Sequence, residues 1–273
     1  MLKLYTAQNS ICTQKVLLTL IEKGLEWDSE YIDLFKNEQY HPDYLRLNPK
    51  GVVPTLIHEG RPVIESTLIC EYLDETFPEP SLVPASPYER SQMRRWSKHI
   101  DEGVFEATRE ISFSAMFREK MRSMTEAERN GRFDNVGDPG RRARFLSTYE
   151  EGVESPYVGQ GIFAFERMFG EMEDDLSSRR EWLVGDHFTL ADINLIPFVA
   201  RLEFLGLLDI WTSGRPFVQG WWRRAKSRGS FRGAITERLT PEQVSAMKTS
   251  GAWIKDKIES RRQELKRHAA VVQ

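Results

Sequence analysis

The length, charge and cysteine content of the chain exclude several classes of protein. A chain of 273 residues buries a sizeable core and suits two domains. Its formal net charge of −3 provides no electrostatic basis for a nucleic-acid partner. The N-terminus lacks the apolar core of a signal peptide, and no apolar run approaches the roughly 20 residues that span a membrane. Two cysteines, Cys12 and Cys70, cannot form a disulfide framework, so we predict a cytoplasmic protein without nucleic-acid or membrane partners.

Strand and helix patterns alternate over the first half of the N-terminal region. In chain order the patterns predict a strand over 2–5, a helix over 13–23, a strand over 27–34 and a helix over 42–47. Gly24 closes the first helix at the position after its C-cap. Asn48-Pro49 ends the second helix, because a residue before proline disfavours the α region.

A hairpin and a third helix complete this region. Strands over 55–58 and 62–64 flank Glu59-Gly60, a two-residue turn, and an apolar helix is predicted over 66–77. The order is therefore βαβ followed by αββα. This order predicts an α+β thioredoxin-like domain with a mixed four-stranded sheet.

The Val53-Pro54 dipeptide lies between a turn and a short strand. Bonds that precede proline are the ones where the cis form costs little, and tight turns retain it, so we predict a cis peptide. A cis bond here would turn the amide and carbonyl of Val53 outward, where they can pair with an extended ligand. Glu65-Ser66 precede the free amides of the third helix, where the helix dipole favours a carboxylate.

Beyond a proline-rich linker over residues 79–87 the strand patterns stop. Helical patterns cover 88–125, 159–177 and 190–205, and an amphipathic tail helix is predicted over 252–268. Thr189 and Asp192 form a capping pattern in which the hydroxyl accepts from the third helical amide and the acid reaches back. We therefore predict a thioredoxin-like domain over 1–78 and an all-α domain over 88–273.

Residues 135–140, which are rich in glycine and polar side chains, predict an exposed excursion between helices. The arginines that follow are Arg141, Arg142 and Arg144. A cluster of this kind is usually a solvated face, which is the interpretation we favour. Contact with an anionic substrate or partner is the alternative.

Two motifs in this order and spacing resemble the cytosolic glutathione transferases. They are the turn 48–56, Asn-Pro-Lys-Gly-Val-Val-Pro-Thr-Leu, and Glu65-Ser66-Thr67 at the start of an apolar helix. The resemblance implies glutathione as co-substrate, an apolar or aromatic electrophile as second substrate, and a homodimer. Segments 2–5, 23–26 and 65–73 and the excursion after residue 130 are also similar to glutathione-dependent β-aryl etherases and related fungal enzymes.

The resemblance places catalysis in the first βα turn. A thiol has a reference pKa of about 8.5, and a helix N-terminus with one hydroxyl donor favours its thiolate, so no metal is required. Ser10 falls where serine-type transferases keep the activating serine, Thr13 is a second hydroxyl at a position that etherases use, and Asn9 is a further donor. The alternative for Ser10 is an N-cap without a catalytic part. Cys12 is a small turn residue or, alternatively, a redox thiol.

The glutathione contacts also follow from the resemblance. The backbone of Val53, beside Pro54, pairs with the cysteinyl unit, and Glu65 with Ser66 holds the γ-glutamyl amino and carboxylate groups. The glycyl carboxylate is assigned to Gln39, His41 or Lys50. Alternatively, Lys50 is a solvated turn residue and His41 a helix-start residue.

The second substrate is the least defined part of the prediction. Apolar candidates at helical spacing are Phe105, Phe113, Met116 and Phe117, although such residues are more often core. The predicted reaction is attack of glutathione thiolate on an electrophile, with phenol displacement from a lignin-derived β-aryl ether as a sharper variant. The alternatives are thiol–disulfide or deglutathionylation chemistry through Cys12, and a non-catalytic protein that binds hydrophobic ligands.

Overall fold

The structure, a computed structural model, describes residues 1–7, 9–178 and 180–271. In this part of the chain four strands form one mixed sheet in the order β2-β1-β3-β4. The strands are β1 (Leu2–Thr6), β2 (Asp28–Tyr31), β3 (Thr55–His58) and β4 (Arg61–Ile64). Strand β1 is parallel to β2 and antiparallel to β3, with Leu4 opposite Leu56. The predicted mixed four-stranded sheet is confirmed.

Local turn chemistry sets the turn of the hairpin and the end of strand β2. Glu59 and Gly60 have φ of 50° and 76°, the left-handed pair of a type I′ turn, as the two-residue loop predicted. Strand β2 is shorter than the predicted 27–34. The carboxylate of Asp33 accepts hydrogen bonds from the amides of Phe35 at 2.9 Å and Lys36 at 3.3 Å, which turns the chain out of the sheet.

Three α-helices belong to the thioredoxin-like region: α1 (Ile11–Glu22), α2 (Pro42–Leu47) and α3 (Ser66–Thr76). A 3-10 turn, Glu38–Tyr40, precedes α2. Gly24 closes α1 with φ 62°, and the amide of Leu25 donates to the carbonyl of Leu20 at 3.0 Å. This is the Schellman arrangement, so the predicted helix end is confirmed.

Helices make up the chain beyond the linker. They are α4 (Pro87–His99), α5 (Phe105–Ser112), α6 (Arg118–Arg122), α7 (Glu126–Asp134), α8 (Pro139–Glu151), α9 (Pro156–Ser177), α10 (Leu190–Phe204), α11 (Asp209–Thr212), α12 (Pro216–Ser227), α13 (Gly229–Ala234), α14 (Pro241–Ala252) and α15 (Lys255–Val271). Within the described residues none of these helices is long and apolar enough to cross a membrane. The predicted fold class, a thioredoxin-like α+β domain with an all-α domain, is confirmed.

The continuous helical pattern over 88–125 is interrupted twice. The π-helical turns Ile100–Val104 and Phe113–Phe117 separate α4, α5 and α6. At the first turn Gly103 has φ 142°, and a Cβ there would lie 3.2 Å from Cβ of Ala164. The predicted helical region is therefore present over most of 88–125, but it is divided into segments, because a glycine at a close approach changes the backbone.

The region after residue 130 is more ordered than an excursion. Helices α7 and α8 carry Phe133 and Phe145, whose rings pack edge to face at 5.0 Å. Arg142 donates to the carbonyls of Asp134 and Val136, and Arg144 donates to Glu110 at 3.3 Å. The solvated-face interpretation was wrong for these two arginines, because the protein itself supplies their acceptors.

The described chain forms two compact units. The first contains Met1–Lys98, Ser178–Pro197 and Gly220–Thr240, and the second contains His99–Ser177, Phe198–Gln219 and Pro241–Gln273. The first unit holds the sheet and α1 to α3, and the second is helical. The division of the sequence at residues 79–87 is a division along the chain and stays a prediction.

Asp192 is fully buried in the first unit, at the start of α10. It accepts hydrogen bonds from the amides of Thr189 and Leu183 and from the indole of Trp221 at 2.8 Å. The acid reaches back as predicted, but the Thr189 hydroxyl accepts from the amide of Ala191, the second helical residue, rather than the third. Burial raises the pKa of Asp192 to about 6, although these hydrogen bonds favour the ionised form.

The C-terminal tail packs within the second unit. The helix predicted over 252–268 corresponds to α15, and the separate helix α14 ends before it at Ala252. Arg261 donates to the carbonyl of Ser155 at 3.0 Å, and Arg262 forms an ion pair with Glu166 at 2.6 Å. The tail is therefore held by charged contacts as well as by its buried residues, Ile254 and Ile258.

Candidate active site

Ser10 is the N-cap of α1. Its backbone is extended, with φ −77° and ψ 116°, and its hydroxyl accepts from the amide of Thr13 at 3.3 Å. Asn9 before it has φ 61°, a left-handed conformation that asparagine tolerates better than most residues. The turn therefore presents the half-buried Ser10 at the positive end of a 12-residue helix.

A cavity of about 230 Å³ lies in the first unit beside this turn. Its lining includes the three residues predicted to act on the thiol, Asn9, Ser10 and Thr13. Thr13 is 1% exposed, and its hydroxyl oxygen has no hydrogen-bond partner among the described residues. A buried hydroxyl usually has a partner, so this one is positioned to bond a group that enters the cavity.

The two cysteines are both thiols in this structure. Cys12 is half-buried in the first turn of α1, and Cys70 is buried in α3. Burial raises the pKa of Cys70 to about 11, which keeps that thiol protonated at neutral pH. None of the described residues that line the cavity is a cysteine. The geometry therefore favours the hydroxyls over Cys12 as the groups that act in this cavity.

The peptide bond between Val53 and Pro54 is cis, as predicted. Val53 is 8% exposed, and its backbone amide and carbonyl have no hydrogen-bond partner in the described part of the chain. The loop before it is held by Tyr44, whose hydroxyl lies 2.6 Å from the carbonyl of Val52, and by Asn48, whose amide donates to the same carbonyl at 2.9 Å. This pair of side chains fixes the loop that presents the Val53 backbone as an open edge.

Glu65 and Ser66 begin helix α3. Glu65 is the N-cap, and its φ of 69° and ψ of 108° lie outside the regions that residues other than glycine prefer. Strain of this kind concentrates where a ligand is held. The Glu65 carboxylate is exposed and forms an ion pair with Lys50 at 2.6 Å. The exposed acid beside free helix amides suits a ligand that carries both an amino group and a carboxylate.

Lys15 is a candidate site residue that the sequence analysis did not identify. It is 1% exposed, and its ammonium donates to the hydroxyl of Ser66 at 3.1 Å and to that of Thr67 at 2.6 Å. A buried cation below the first residues of α3 adds to the positive potential of the helix N-terminus. The only sequence signal was a lysine between the apolar positions of α1, where a charge is rarely buried without a role.

The three residues predicted for the glycyl carboxylate lie in different surroundings. Gln39 is 7% exposed, and its side-chain oxygen has no hydrogen-bond partner among the described residues. The ring of His41 caps α2, accepting from the amide of Asp43 at 3.3 Å, which agrees with its reading as a helix-start residue. Lys50 is brought to Glu65 instead. The residue that binds the glycyl carboxylate stays a prediction. Of the three candidates, Gln39 is the best placed, because its side chain has an unpartnered polar atom.

The four apolar candidates for the second-substrate site all lie in the second unit. Phe113 is 7% exposed and packs against Phe145 at a centroid distance of 4.9 Å, within a cluster that also contains Phe133. Phe117 packs on the edge of the same cluster. Phe105 and Met116 are half-buried. Phe113 therefore has a core role here, and the substrate role of all four residues stays a prediction.

The arrangement supports chemistry at a sulfur atom. The first unit combines an unpaired peptide edge at Val53, the N-terminus of helix α3 at Ser66, and hydroxyls at the N-terminus of α1. In the described chain no group of three or more histidine, cysteine or acidic side chains is placed to hold a metal ion. Such features suit an extended peptide with a free amino-acid end and an anion near Ser10.

Comparison with known proteins agrees with this geometry. The profile of the glutathione S-transferase N-terminal domain matches residues 9–76, and that of the C-terminal domain matches residues 161–224. Maleylacetoacetate isomerase of Pseudomonas aeruginosa is 29% identical over 77% of this chain and 86% of the isomerase. Protein LigF of Sphingobium sp. strain SYK-6 is 33% identical over 70% of this chain and 75% of LigF.

The crystal structure of β-etherase LigF from the same strain has the same architecture. It matches with a TM-score of 0.77 and 29% identity, covering 86% of this chain and 99% of the LigF chain. Both domain profiles, a relative above 30% identity and the shared structure lead to one conclusion. The chain belongs to the glutathione S-transferase family of enzymes, whose co-substrate is glutathione.

Proposed function

We propose that the protein binds glutathione along Val53 and the start of α3, and that the Ser10 turn stabilises its thiolate for attack on an apolar or aromatic electrophile. The observation that carries the proposal is the cavity at the turn. Its lining contains Ser10, the N-cap of α1, and Thr13, whose hydroxyl has no partner among the described residues. Glu65, Ser66 and the cation of Lys15 supply the opposite charges that a γ-glutamyl group needs.

The energetic demand on the turn is modest. A thiol with a pKa of about 8.5 is mostly protonated at neutral pH, and a fall of one pKa unit requires roughly 1.4 kcal/mol. A helix N-terminus supplies about 0.3–1 kcal/mol near the surface. A hydroxyl that donates to a charged acceptor contributes a further ~1.5–3 kcal/mol. Together these effects account for a shift of one to about two units without a metal or a separate base.

Phenol displacement from a β-aryl ether is the specific reaction that we favour within this class. The thiolate sulfur forms a bond to the carbon that carries the ether oxygen, and the carbon–oxygen bond breaks with its electron pair on the departing phenolate. The phenolate then takes up a proton, which balances the one lost by the thiol. The similarity to LigF, a β-etherase, supports this choice. Conjugation of other electrophiles requires the same thiolate and is the broader form of the proposal.

Two other functions fit the family. Thiol–disulfide or deglutathionylation chemistry would require Cys12, which the cavity lining does not support. A protein that only holds hydrophobic ligands would bind glutathione without turnover. We also propose a cytoplasmic homodimer, since membership of this family implies one.

The test is turnover of an aryl halide and of a model β-aryl ether with glutathione, by wild type and by Ser10→Ala, Thr13→Val and Cys12→Ala. We expect wild type to release phenol from the ether. This activity should be lost in Ser10→Ala or in Thr13→Val and retained in Cys12→Ala. Titration of bound glutathione by thiolate absorbance should show a pKa raised by at least about one unit in that hydroxyl variant. Loss of turnover only in Cys12→Ala would support the disulfide alternative, and glutathione binding without turnover would support the ligand-holding one.

Loss of a cap also lowers stability, so the Ser10 result needs a matched control. Thr125 caps α7 in the second unit through the same hydroxyl-to-amide bond, at 3.3 Å from the amide of Glu128. Ser10→Ala and Thr125→Ala should both cost about 0.5–2 kcal/mol of unfolding free energy, but only the former should raise the thiol pKa. An unchanged thiol pKa in both variants would leave Ser10 as a cap alone.

A further inference from the structure

Arg238 lines the cavity that Ser10 and Thr13 share, although it follows them by more than 220 residues in the chain. It is the last residue of the 3-10 turn Thr236–Arg238, which follows α13 in the first unit. Among the described residues that line the cavity, Arg238 alone carries a charge at neutral pH. Any small molecule in this cavity therefore meets one guanidinium and no carboxylate in its lining.

The guanidinium of Arg238 has unused donors. Its Nε donates to the carbonyl of Gly233 at 3.3 Å, and the side chain forms no ion pair with a described residue. The adjacent Glu237 pairs with Arg232 instead, at 3.3 Å. The two terminal NH2 groups of Arg238 are thus available in the planar fork geometry that matches a carboxylate.

The rest of the lining limits the ligand that could reach this arginine. The hydroxyl of Thr13, 99% buried, has no partner in the described chain and offers a hydrogen bond. Leu17 and Ala234 supply apolar surface, and Tyr31, though it lines the cavity, is 54% exposed and presents an aromatic ring. At about 230 Å³ the cavity is below the roughly 300–1,000 Å³ of pockets for drug-sized ligands, so it suits one aromatic ring of a substrate.

We propose that the second substrate is a small aromatic electrophile that carries a carboxylate, and that Arg238 is the residue that selects for that charge. This inference depends on the proposed function, because it gives the substrate class of the same cavity. A carboxylate could also come from glutathione itself. We assign Arg238 to the second substrate, because glutathione is already assigned to Val53 and the start of α3, whose residues do not line this cavity.

The test compares two matched aryl chlorides that differ only in a ring carboxylate or its neutral carboxamide. Wild type should have the lower KM for the carboxylate. Arg238→Gln should raise that KM about tenfold or more, equivalent to roughly 1.4 kcal/mol, and leave the KM values for the carboxamide and for glutathione within about twofold. Arg238→Lys should give an intermediate KM, because a lysine keeps the charge but loses the fork. Arg223→Gln, which changes an exposed arginine of α12 in the first unit outside the cavity lining, is the control.

Binding measured without turnover separates this proposal from the proposed function. Calorimetric titration with benzoate and benzamide should show that wild type prefers benzoate and that Arg238→Gln does not, even if neither aryl chloride reacts. Turnover without charge preference, or equal losses for both electrophiles, would overturn the role of Arg238. A rise in the KM for glutathione alone would mean that Arg238 holds the carboxylate of glutathione. Absence of turnover with the benzoate preference intact would contradict the proposed reaction and leave the selectivity standing.

Discussion

Glu166 ties the C-terminal helix to the body of the second unit, and its removal should weaken that unit in a pH-dependent way. Its carboxylate forms ion pairs with Arg215 at 2.6 Å, Arg262 at 2.6 Å and Lys266 at 2.9 Å. Partial burial opposes ionisation of Glu166, but the hydrogen bonds from Arg262, Lys266 and Arg215 outweigh it and hold its pKa at about 2, against an ordinary value of 4.5. Glu166→Gln keeps the shape of the side chain and removes the charge.

The sign and size of the effect follow from the shift in pKa. A depressed folded-state pKa contributes stability above the unfolded value, and this contribution is lost as pH falls from about 4.5 through about 2. A shift of about 2.5 units corresponds to at most roughly 3.4 kcal/mol of unfolding free energy. Because the carboxylate stays in partial contact with water, solvent screening reduces this to about 1–2 kcal/mol.

The assay is urea denaturation of wild type and Glu166→Gln at pH 7 and at steps down to pH 2.5. We expect the variant to be less stable by about 1–2 kcal/mol at pH 7 and the difference to shrink toward the acid end. Glu264→Gln in α15, the helix that Glu166 anchors, is the control, since Glu264 is exposed and no ion pair joins it to a described residue. A difference that is constant across this pH range would refute the reasoning, because it would come from packing rather than from the charge.

Three further predictions concern the site and the core. Gly51→Ala should lower the unfolding free energy by about 1–3 kcal/mol and weaken glutathione binding in calorimetry, because its φ is 59° and a Cβ would lie 2.8 Å from the Tyr40 ring; Gly137→Ala, in open space, should do neither. Lys15→Met should raise the KM for glutathione with little change in kcat in steady-state kinetics, since it removes the cation below α3. Equal falls in kcat and in kcat/KM would contradict this. Asp192→Asn should abolish a loss of stability that wild type shows in urea denaturation as pH rises from about 4 to about 6, because the raised pKa makes the folded state retain a proton; an unchanged slope would refute it.

Structural features that depend only on residues close in sequence, such as turns and helix caps, were predicted well. Gly24 and the Glu59-Gly60 turn need left-handed backbone, which few residues adopt, so their positions identified a helix end and a hairpin before any contact was known. The cis bond at Val53-Pro54 and the N-cap at Ser10 are of the same kind. In each case the signal lies within a few residues and depends on local conformation.

Local signals were weaker where helices pack. The interruption at Gly103 and the fixed Arg142 and Arg144 were missed, because each depends on an acceptor or a close approach supplied by the folded chain. Phe113 shows the same limit, since helical spacing alone did not distinguish a pocket residue from a member of the aromatic cluster.

The sequence by itself determined the fold class, the family and the turn that carries Ser10, because turn residues, caps and hydrophobic periodicity act over short stretches of chain. Only the tertiary structure placed the ammonium of Lys15 against Ser66 and Thr67, left the Thr13 hydroxyl without a partner, and brought Arg238 to the cavity beside Ser10. These placements join residues that lie about 50 to more than 220 positions apart. Their energies depend on burial and distance, and both quantities exist only once the chain has folded.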